Sequence, residues 1–378
     1  MTNFLKSIKP GQTIGIIGGG QLGQMMTLSA KEMNFKVIVL DPSHNCPAST
    51  VADEVIEAEY DDIEEIIKLS KRCDVLTYEF ENVDVKTINK VKENTYVPQG
   101  TKALEISQNR VMEKEFLKRH NHPIADFVEI KDKTNLKKYI DEVGIPCILK
   151  TATGGYDGHG QVVINSEKDI EKASSLLASK ARLILEKVVD FKMEVSVIIS
   201  RNESGDTAIF PIIENQHREN ILHISITPAR ITKEMEQLIN KNAEEIATNL
   251  ELVGTMGIEF FIDKNNKLYV NEIAPRPHNS GHLTIEACDF SQFDLHIKGI
   301  CNMALQRPQL LKSAVMINVL GQHIDQVKDL LIQENAWHYH DYGKQESRHN
   351  RKMGHVTLLT DDVEKTIKEL KETKIWNK

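Results

Sequence analysis

The 378-residue sequence has only five cysteines, Cys46, Cys73, Cys147, Cys288 and Cys301, and no two of them form a C-x-x-C pair. That scatter argues against a disulfide framework or a thiolate zinc site and fits reduced thiols in a cytosol. No apolar run approaches membrane-spanning length, and the opening MTNFLKSIKPGQ lacks the apolar core of a signal peptide. A cytoplasmic protein with no membrane partner is the expectation. Basic residues are not in excess either: the net charge is −8. General nucleic-acid binding, which needs a field of Lys and Arg to displace counterions, is therefore disfavoured. Anionic small substrates stay open, because local basic groups can dominate inside a cleft. Internal repeats, low-complexity tracts and the G-x-x-x-x-G-K-[ST] phosphate loop are all missing.

What is present, 40% hydrophobic and 27% charged residues, is the composition of a globular chain. Its length asks for about two or three domains. TIGIIG, KVIVLD and DVLTYEF are short, β-branched runs followed by turn residues, which read as buried parallel strands. Helical stretches QLGQMMTLSAKEM and DDIEEIIKLSKR alternate with them, the latter with Ile63, Ile66 and Ile67 on one face. A βαβαβ unit over the first hundred residues or so follows. After a charged helix around NRVMEKEFLKRH the pattern changes to interleaved polar and apolar strands: CILKTA, GQVVI, LILEKVV, FKMEVSVIIS and TAIFPIIE. These suggest antiparallel sheet. A long helix, KEMEQLINKNAEEIATNLEL, precedes two strands joined by the turn DKNNK, and the tail from RPQLLKSAVMINVLG reads as a small α/β or β module.

Gly18, Gly20 and Gly23 have the G-x-G-x-x-G spacing between a strand and a helix, and Asp41 ends the next strand. Alone this suggests a dinucleotide site, yet the glycines report only backbone N–H groups delivered to an anion, with Gln21 beside them. Glu79 and Glu81 lie at a strand's carboxyl end, where open α/β sheets bind ligands; a solvated loop acid is the plainer reading of Glu81. Lys150 ends a strand just before the glycine-rich GGYDGHGQ and can neutralise phosphate oxygens. Glu186 could accept from a ribose or base amine, with the Lys187 and Val188 backbone against an adenine edge, or all could be ordinary strand residues. Glu194 is equally open. Glu259 and Glu272 stand on neighbouring strands of a short hairpin. Two carboxylates aimed at one site need a cation, and with Asn271 alongside the oxygen ligands favour one or two Mg²⁺ ions. Arg276, His278, Asn279, Ser280 and His282 follow on a proline-rich loop suited to a small planar anion. The prolines oppose a helix, so the two histidines are not an i, i+4 zinc pair.

Lys150, GGYDGHGQ, EKVV, Glu194, Glu259 and NEIAPRPHNSGH together resemble the ATP-grasp superfamily. With GGGQLGQM, TYEFENV and YGKQESRHNRKMGHV, nearly the whole chain is similar to the ATP-dependent carboxylases that act on aminoimidazole ribonucleotide in purine synthesis. The resemblance implies an α/β fold, α+β in part. It has a Rossmann-like N-terminal domain (1–105), a two-lobed ATP-grasp domain (106–305, small lobe about 125–190, flexible loop 154–160) and a C-terminal domain (306–378) folded back on the first. It implies ATP binding by Arg110, Lys150, Gly155, Tyr156, Asp157, Gly158, His159, Gly160, Gln161, Glu186, Lys187, Val188, Val189, Glu194, His217, Asn271 and Glu272. The Mg²⁺ ligands would be Glu259, Glu272 and Asn271, and Arg276 and His278 would handle bicarbonate. The imidazole ribonucleotide would meet Gly20, Gln21, Leu22, Glu79, Tyr156, Asp157, Asn279, Lys344 and Arg351. Catalytic work would fall to Arg276, His278, Asp157 and Lys150, with His278 or Asp157 as base. A homodimer is expected from the family alone. The rivals are a formate-using transformylase of the same fold, an NAD-dependent oxidoreductase and a non-catalytic nucleotide sensor.

Overall fold

The computed structural model describes residues 6–154 and 160–377. The N-terminal sheet is parallel, in the order β3-β2-β1-β4, with β1 Thr13–Ile17, β2 Lys36–Asp41, β3 Glu54–Glu57 and β4 Val75–Tyr78. Alternate residues bury on opposite faces. Ile14, Ile16, Val37 and Val39 join one cluster, and Ile17, Ile38, Leu40 and Leu76 another. Both faces are dry, which is why these strands read as unbroken apolar runs. Helix Ile63–Ser70 is capped by the Asp62 carboxylate, which accepts from the Glu64 and Glu65 N–H groups. It turns Ile66 and Leu69 fully inward, whereas Ile63 and Ile67 are only half-buried.

The small lobe is a four-stranded antiparallel sheet, β5-β8-β6-β7, built from β5 Phe127–Ile130, β6 Cys147–Thr151, β7 Gln161–Ile164 and β8 Leu183–Lys187. The larger sheet runs β14-β13-β9-β11-β12-β15-β17-β16, with β10 on the side of β9. Its strands are β9 Phe191–Arg201, β10 Thr207–Ile209, β11 Ile213–Arg218, β12 Ile221–Thr227, β13 Gly254–Asp263, β14 Leu268–Ala274, β15 Ala314–Leu320, β16 His338–Asp341 and β17 Lys352–Leu359. Helix Lys233–Asn249 covers one face, packing Ile239, Ala243 and Ile246 on Val195, Val197, Met256 and Ile258.

The tail does not make a sheet of its own. β15 pairs with β12 through Ile224↔Ile317 and Ile226↔Val315, so its strands extend the central sheet. Tyr342, fully buried, packs in one cluster with Phe293 and Ile297 and with Ile14 and Ile16 of the N-terminal sheet. This cluster joins the segment around Tyr342 to the N-terminal sheet. Among the described residues no helix is long and apolar enough to cross a membrane.

Candidate active site

At the first turn, Gly18 adopts φ +103°, and a Cβ on Gly23 would meet the Gly18 carbonyl oxygen at 2.3 Å. Glycine is required at both. The anion at the start of the following helix, Gln21–Glu32, is supplied by the protein itself. Glu79 Oε1 accepts from Gly20 N at 2.6 Å and Oε2 from Gly23 N at 2.5 Å. Burial lifts the Glu79 carboxyl above its ordinary range although both N–H groups oppose this. Asp41 accepts from Gly19 N (2.8 Å), Ser43 N (2.8 Å) and Tyr60 OH (2.7 Å). A carboxylate so engaged is a brace for the turn rather than a ribose ligand, which removes the structural basis of the NAD reading. Leu22 is buried in the core and offers a ligand only its backbone; Gln21 is half-exposed beside it.

Lys344 lies close enough to Glu79 for the carboxylate to act on its charge. Its Nζ donates to Lys352 O at 2.7 Å, and burial, then Arg351 and Lys352, push its pKa down to about 8. Arg351 donates to Glu346 O at 2.9 Å. Lys344, Arg351 and Lys352 thus form a cluster of cations on the tail, with Lys344 acted on by Glu79.

At the other site Lys150 Nζ donates to Glu186 Oε2 at 3.3 Å. Burial would raise Glu186, but Lys114 and Lys150 leave it below its ordinary range, hence ionised. Its second oxygen, Oε1, is buried with no hydrogen-bond partner. An acceptor left like this costs about 1–3 kcal/mol and asks for a donor such as an exocyclic amine. The neighbouring backbone narrows one expectation. Lys187 N donates to Asp126 O (2.8 Å) and Val188 N to Pro146 O (3.1 Å), so these two residues keep only their carbonyls for an adenine edge. Among the described residues Val189 N–H has no protein acceptor, and it is the better candidate. Arg110 NH1 donates to Thr151 O (3.1 Å) and Gly154 O (2.6 Å), anchoring the start of the glycine loop. Gly160 O, at its far end, accepts from Thr151 N at 3.0 Å, and Gln161 pairs with Lys150 across β6 and β7. Gly155, Tyr156, Asp157, Gly158 and His159 lie outside the described residues.

Glu259 and Glu272 are direct partners in the β13–β14 register, beside a bulge. They are not equivalent: Glu259 is buried, while Glu272 is open to solvent. Burial, then Glu272 and Glu194, hold the Glu259 carboxyl well above the ordinary range. Asn271 Nδ2 donates to Glu259 Oε2 at 3.2 Å. A crowded acid pair open on one side, with an amide alongside, fits a hard divalent cation such as Mg²⁺. Glu194 is buried, and its Oε2 lies 3.2 Å from His217 Nδ1.

Arg276 forms a two-pronged pair with Glu81, through Nε to Oε2 and NH2 to Oε1. Burial opposes ionisation of Glu81, yet Arg276 leaves it below the usual carboxylate range. The plain reading of Glu81 as a solvated acid does not hold. His278 is buried, with Nε2 3.4 Å from Glu259 Oε1 and Nδ1 2.8 Å from Ser280 Oγ. Burial and Arg276 drive its pKa well down, while burial and the neighbouring acids drive Glu259's up, so burial disfavours the charged form of each. Asn279 is occupied otherwise: its amide pairs with that of Asn318 on β15, at 3.1 and 2.8 Å. That exchange fixes the loop to the tail.

Sequence reasoning passed over two residues on helix Arg110–Arg119. Lys114 is buried, donates to Asn271 O at 2.6 Å and stands 3.9 Å from Glu186 Oε2. Glu113 accepts from Ile273 N at 2.6 Å, and burial, with Glu272 adding to it against Lys114, pushes its pKa up to about 8. Lys114 therefore ties the strand carrying Asn271 and Glu272 to the acid at Glu186. A signal was available, because Glu113 shares a helix face with the buried Phe116 and Leu117.

Family models match residues 11–108 (ribonucleotide synthetase preATP-grasp domain), 115–293 (ATP-grasp domain) and 314–369 (phosphoribosylaminoimidazole carboxylase C-terminal domain). The N5-carboxyaminoimidazole ribonucleotide synthase of Staphylococcus aureus strain COL is 47% identical over 371 residues, covering 97% of this chain and 98% of that one. A crystal structure of the S. aureus synthetase complexed with ADP superposes with a TM-score of 0.94 at 45% identity, over 98% of each chain. The Aspergillus clavatus enzyme, in complex with ADP and 5-aminoimidazole ribonucleotide, gives a TM-score of 0.90 at 28% identity, over 97% of this chain and 99% of that one. With its glycine turn, acid pair and Arg–His loop held in this frame, the chain belongs to the N5-carboxyaminoimidazole ribonucleotide synthase family of ATP-grasp enzymes.

Proposed function

We propose that the protein carboxylates 5-aminoimidazole ribonucleotide with bicarbonate at the expense of ATP, yielding N5-carboxyaminoimidazole ribonucleotide, ADP and phosphate, a step of purine synthesis. The observation that carries this reading is the bridge at Lys114. It joins an ionised acid with one unsatisfied oxygen, Glu186, to the strand bearing Asn271 and Glu272. A base amine at Glu186 and a phosphate chain toward Glu272 would fill both ends of one cleft.

Bicarbonate is a poor electrophile, since attack on it must expel hydroxide from a resonance-stabilised anion. In the proposed sequence a bicarbonate oxygen attacks the γ-phosphorus, the bond to the ADP oxygen breaks, and carboxyphosphate forms. The exocyclic amine then forms a C–N bond at its carbon, or at CO₂ released from it. Phosphate leaves with the C–O electron pair, and the amine loses a proton to a base. Lys150 would neutralise phosphate oxygens from the end of β6. Arg276 would hold the planar anion through its fork once Glu81 yields it. His278, kept neutral by burial, would receive a proton or anchor the bicarbonate. Glu259, Glu272 and Asn271 would hold Mg²⁺, which supplies charge neutralisation on the phosphate chain.

Asp157 and Tyr156 would meet the imidazole, and Lys344 and Arg351 the ribonucleotide phosphate. An intermediate that water destroys requires the site to exclude solvent during turnover. Cytoplasmic location and a homodimer belong to this reading and rest on the family. The test is ADP release from ATP with the imidazole ribonucleotide present. Dependence on bicarbonate supports the assignment; release driven by formate with glycinamide ribonucleotide would replace it with the transformylase.

A further inference from the structure

Glu194 on β9, His217 on β11 and Glu259 on β13 converge on one point of the central sheet. Each offers one ligand atom, and all three atoms lie within 4.8 Å of one another. Neighbouring register brings them there: Glu194 pairs with Phe261 and Asn215, and Ser196, two residues on, pairs with Glu259. His217 follows a bulge in β11 and lies with Nδ1 3.2 Å from Glu194 Oε2. A second imidazole flanks the group, since buried His278 Nε2 stands 3.4 Å from Glu259 Oε1. Two buried carboxylates crowded like this are costly without a cation.

The donor set differs from that of the magnesium reading. Mg²⁺ takes hard oxygen ligands in near-octahedral geometry and keeps several waters. An imidazole nitrogen with two carboxylates suits a borderline ion of the zinc or cobalt class, which also binds such sets more tightly. We propose that the nucleotide-free protein binds one such transition ion at Glu194, His217 and Glu259. The inference rests on the assignment of Glu194 and His217 to the nucleotide, and it adds that ion and nucleotide exclude each other. Glu259 serves both arrangements, turning toward Glu272 and Asn271 in one and toward His217 in the other. The consequence is an ATP-competitive block of the enzyme by zinc-class ions, set by residues the reaction itself requires.

The test uses the full chain without nucleotide. Co²⁺ is titrated and its visible d–d band followed; Zn²⁺ binding is measured by calorimetry. One Co²⁺ per chain is expected. Its affinity should fall at least about a hundredfold in His217→Asn, beyond what loss of an outer-shell partner alone does. His217 lies near the surface, so its replacement opens no core cavity; Glu194→Gln provides a second variant should the first not fold. MgADP in excess should discharge the band. No band in the parent, or a band unchanged in both variants, overturns the proposal. MgADP binding to the parent in metal-free buffer is measured separately. If ADP binds and no Co²⁺ band forms, the ion site fails while the nucleotide reading stands. If the band forms and ADP neither binds nor displaces it, the nucleotide assignment fails and with it the exclusion.

Discussion

Replacing Lys114 by Met tests the bridge at the centre of the site. The ammonium is buried, 2.6 Å from Asn271 O, 3.4 Å from Val270 O and 3.9 Å from Glu186 Oε2. Met fills much of the space but donates nothing. Two backbone carbonyls lose their donor, and Glu186 keeps only Lys150, at 3.3 Å. Breaking one side of a buried charge pair costs about 3–5 kcal/mol, and the surviving Lys150 contact places this case near about 3 kcal/mol. For a domain of this size that lowers the melting temperature by roughly 6–12 °C. Glu186 and Asn271 would also shift, so ADP affinity should drop by about tenfold or more, equivalent to about 1.4 kcal/mol. Differential scanning calorimetry and ADP titration read the two effects. Lys114→Arg should not restore either, because the longer guanidinium has no room at a buried position. A variant melting within about 2 °C of the parent, with unaltered ADP affinity, would refute the reasoning.

Burial drives His296 down to about 3, and the imidazole is fixed neutral: Nδ1 accepts from Thr255 N at 3.2 Å and Nε2 faces Thr77 Oγ1 at 3.0 Å. Its folded pKa lies below the unfolded value, so its stabilisation is present above about pH 6.5 and is lost as pH falls toward 3. Between pH 7 and 5 this group alone should remove about 2 kcal/mol, and His296→Gln should shrink the measured difference in urea unfolding by that amount. Lys344, at about 8, is the group to watch on the alkaline side. The KM for the imidazole ribonucleotide should rise about tenfold from pH 7 to 9 as the cation is lost, and Lys344→Arg should flatten the profile while ATP's KM stays level. Glu81→Gln releases one prong of the pair on Arg276 and should change the KM for bicarbonate several-fold with little effect on that for ATP; equal effects on both would contradict the role given to Arg276.

The parallel N-terminal sheet was legible because its strands are buried on both faces and carry that fact locally, in runs such as Thr13–Ile17 and Lys36–Asp41. The hairpin placing Glu259 opposite Glu272 was equally legible, its turn and strands lying within twenty-one residues of chain. Longer-range pairing was not. β12 and β15 meet across about ninety residues, and no local periodicity states which distant strand will supply the next hydrogen bonds. Charged residues misled for a related reason. Glu113 and Lys114 sit in a helix dense with charge, where solvation is the default, and only the strand behind them makes their burial tenable. The amide pairing of Asn279 with Asn318, about forty residues on, has no local signal either. The bracing of the glycine turn by Glu79, through two backbone N–H groups from a strand about sixty residues away, likewise leaves no local trace.

The proposed reaction activates bicarbonate by transferring to it the γ-phosphoryl group of ATP. Turnover with ¹⁸O-labelled bicarbonate, read by mass spectrometry of the inorganic phosphate, tests it most directly. Attack by a bicarbonate oxygen followed by C–O cleavage predicts one labelled oxygen in each phosphate released. Phosphate carrying no label from bicarbonate, while carboxylated ribonucleotide accumulates, would contradict it.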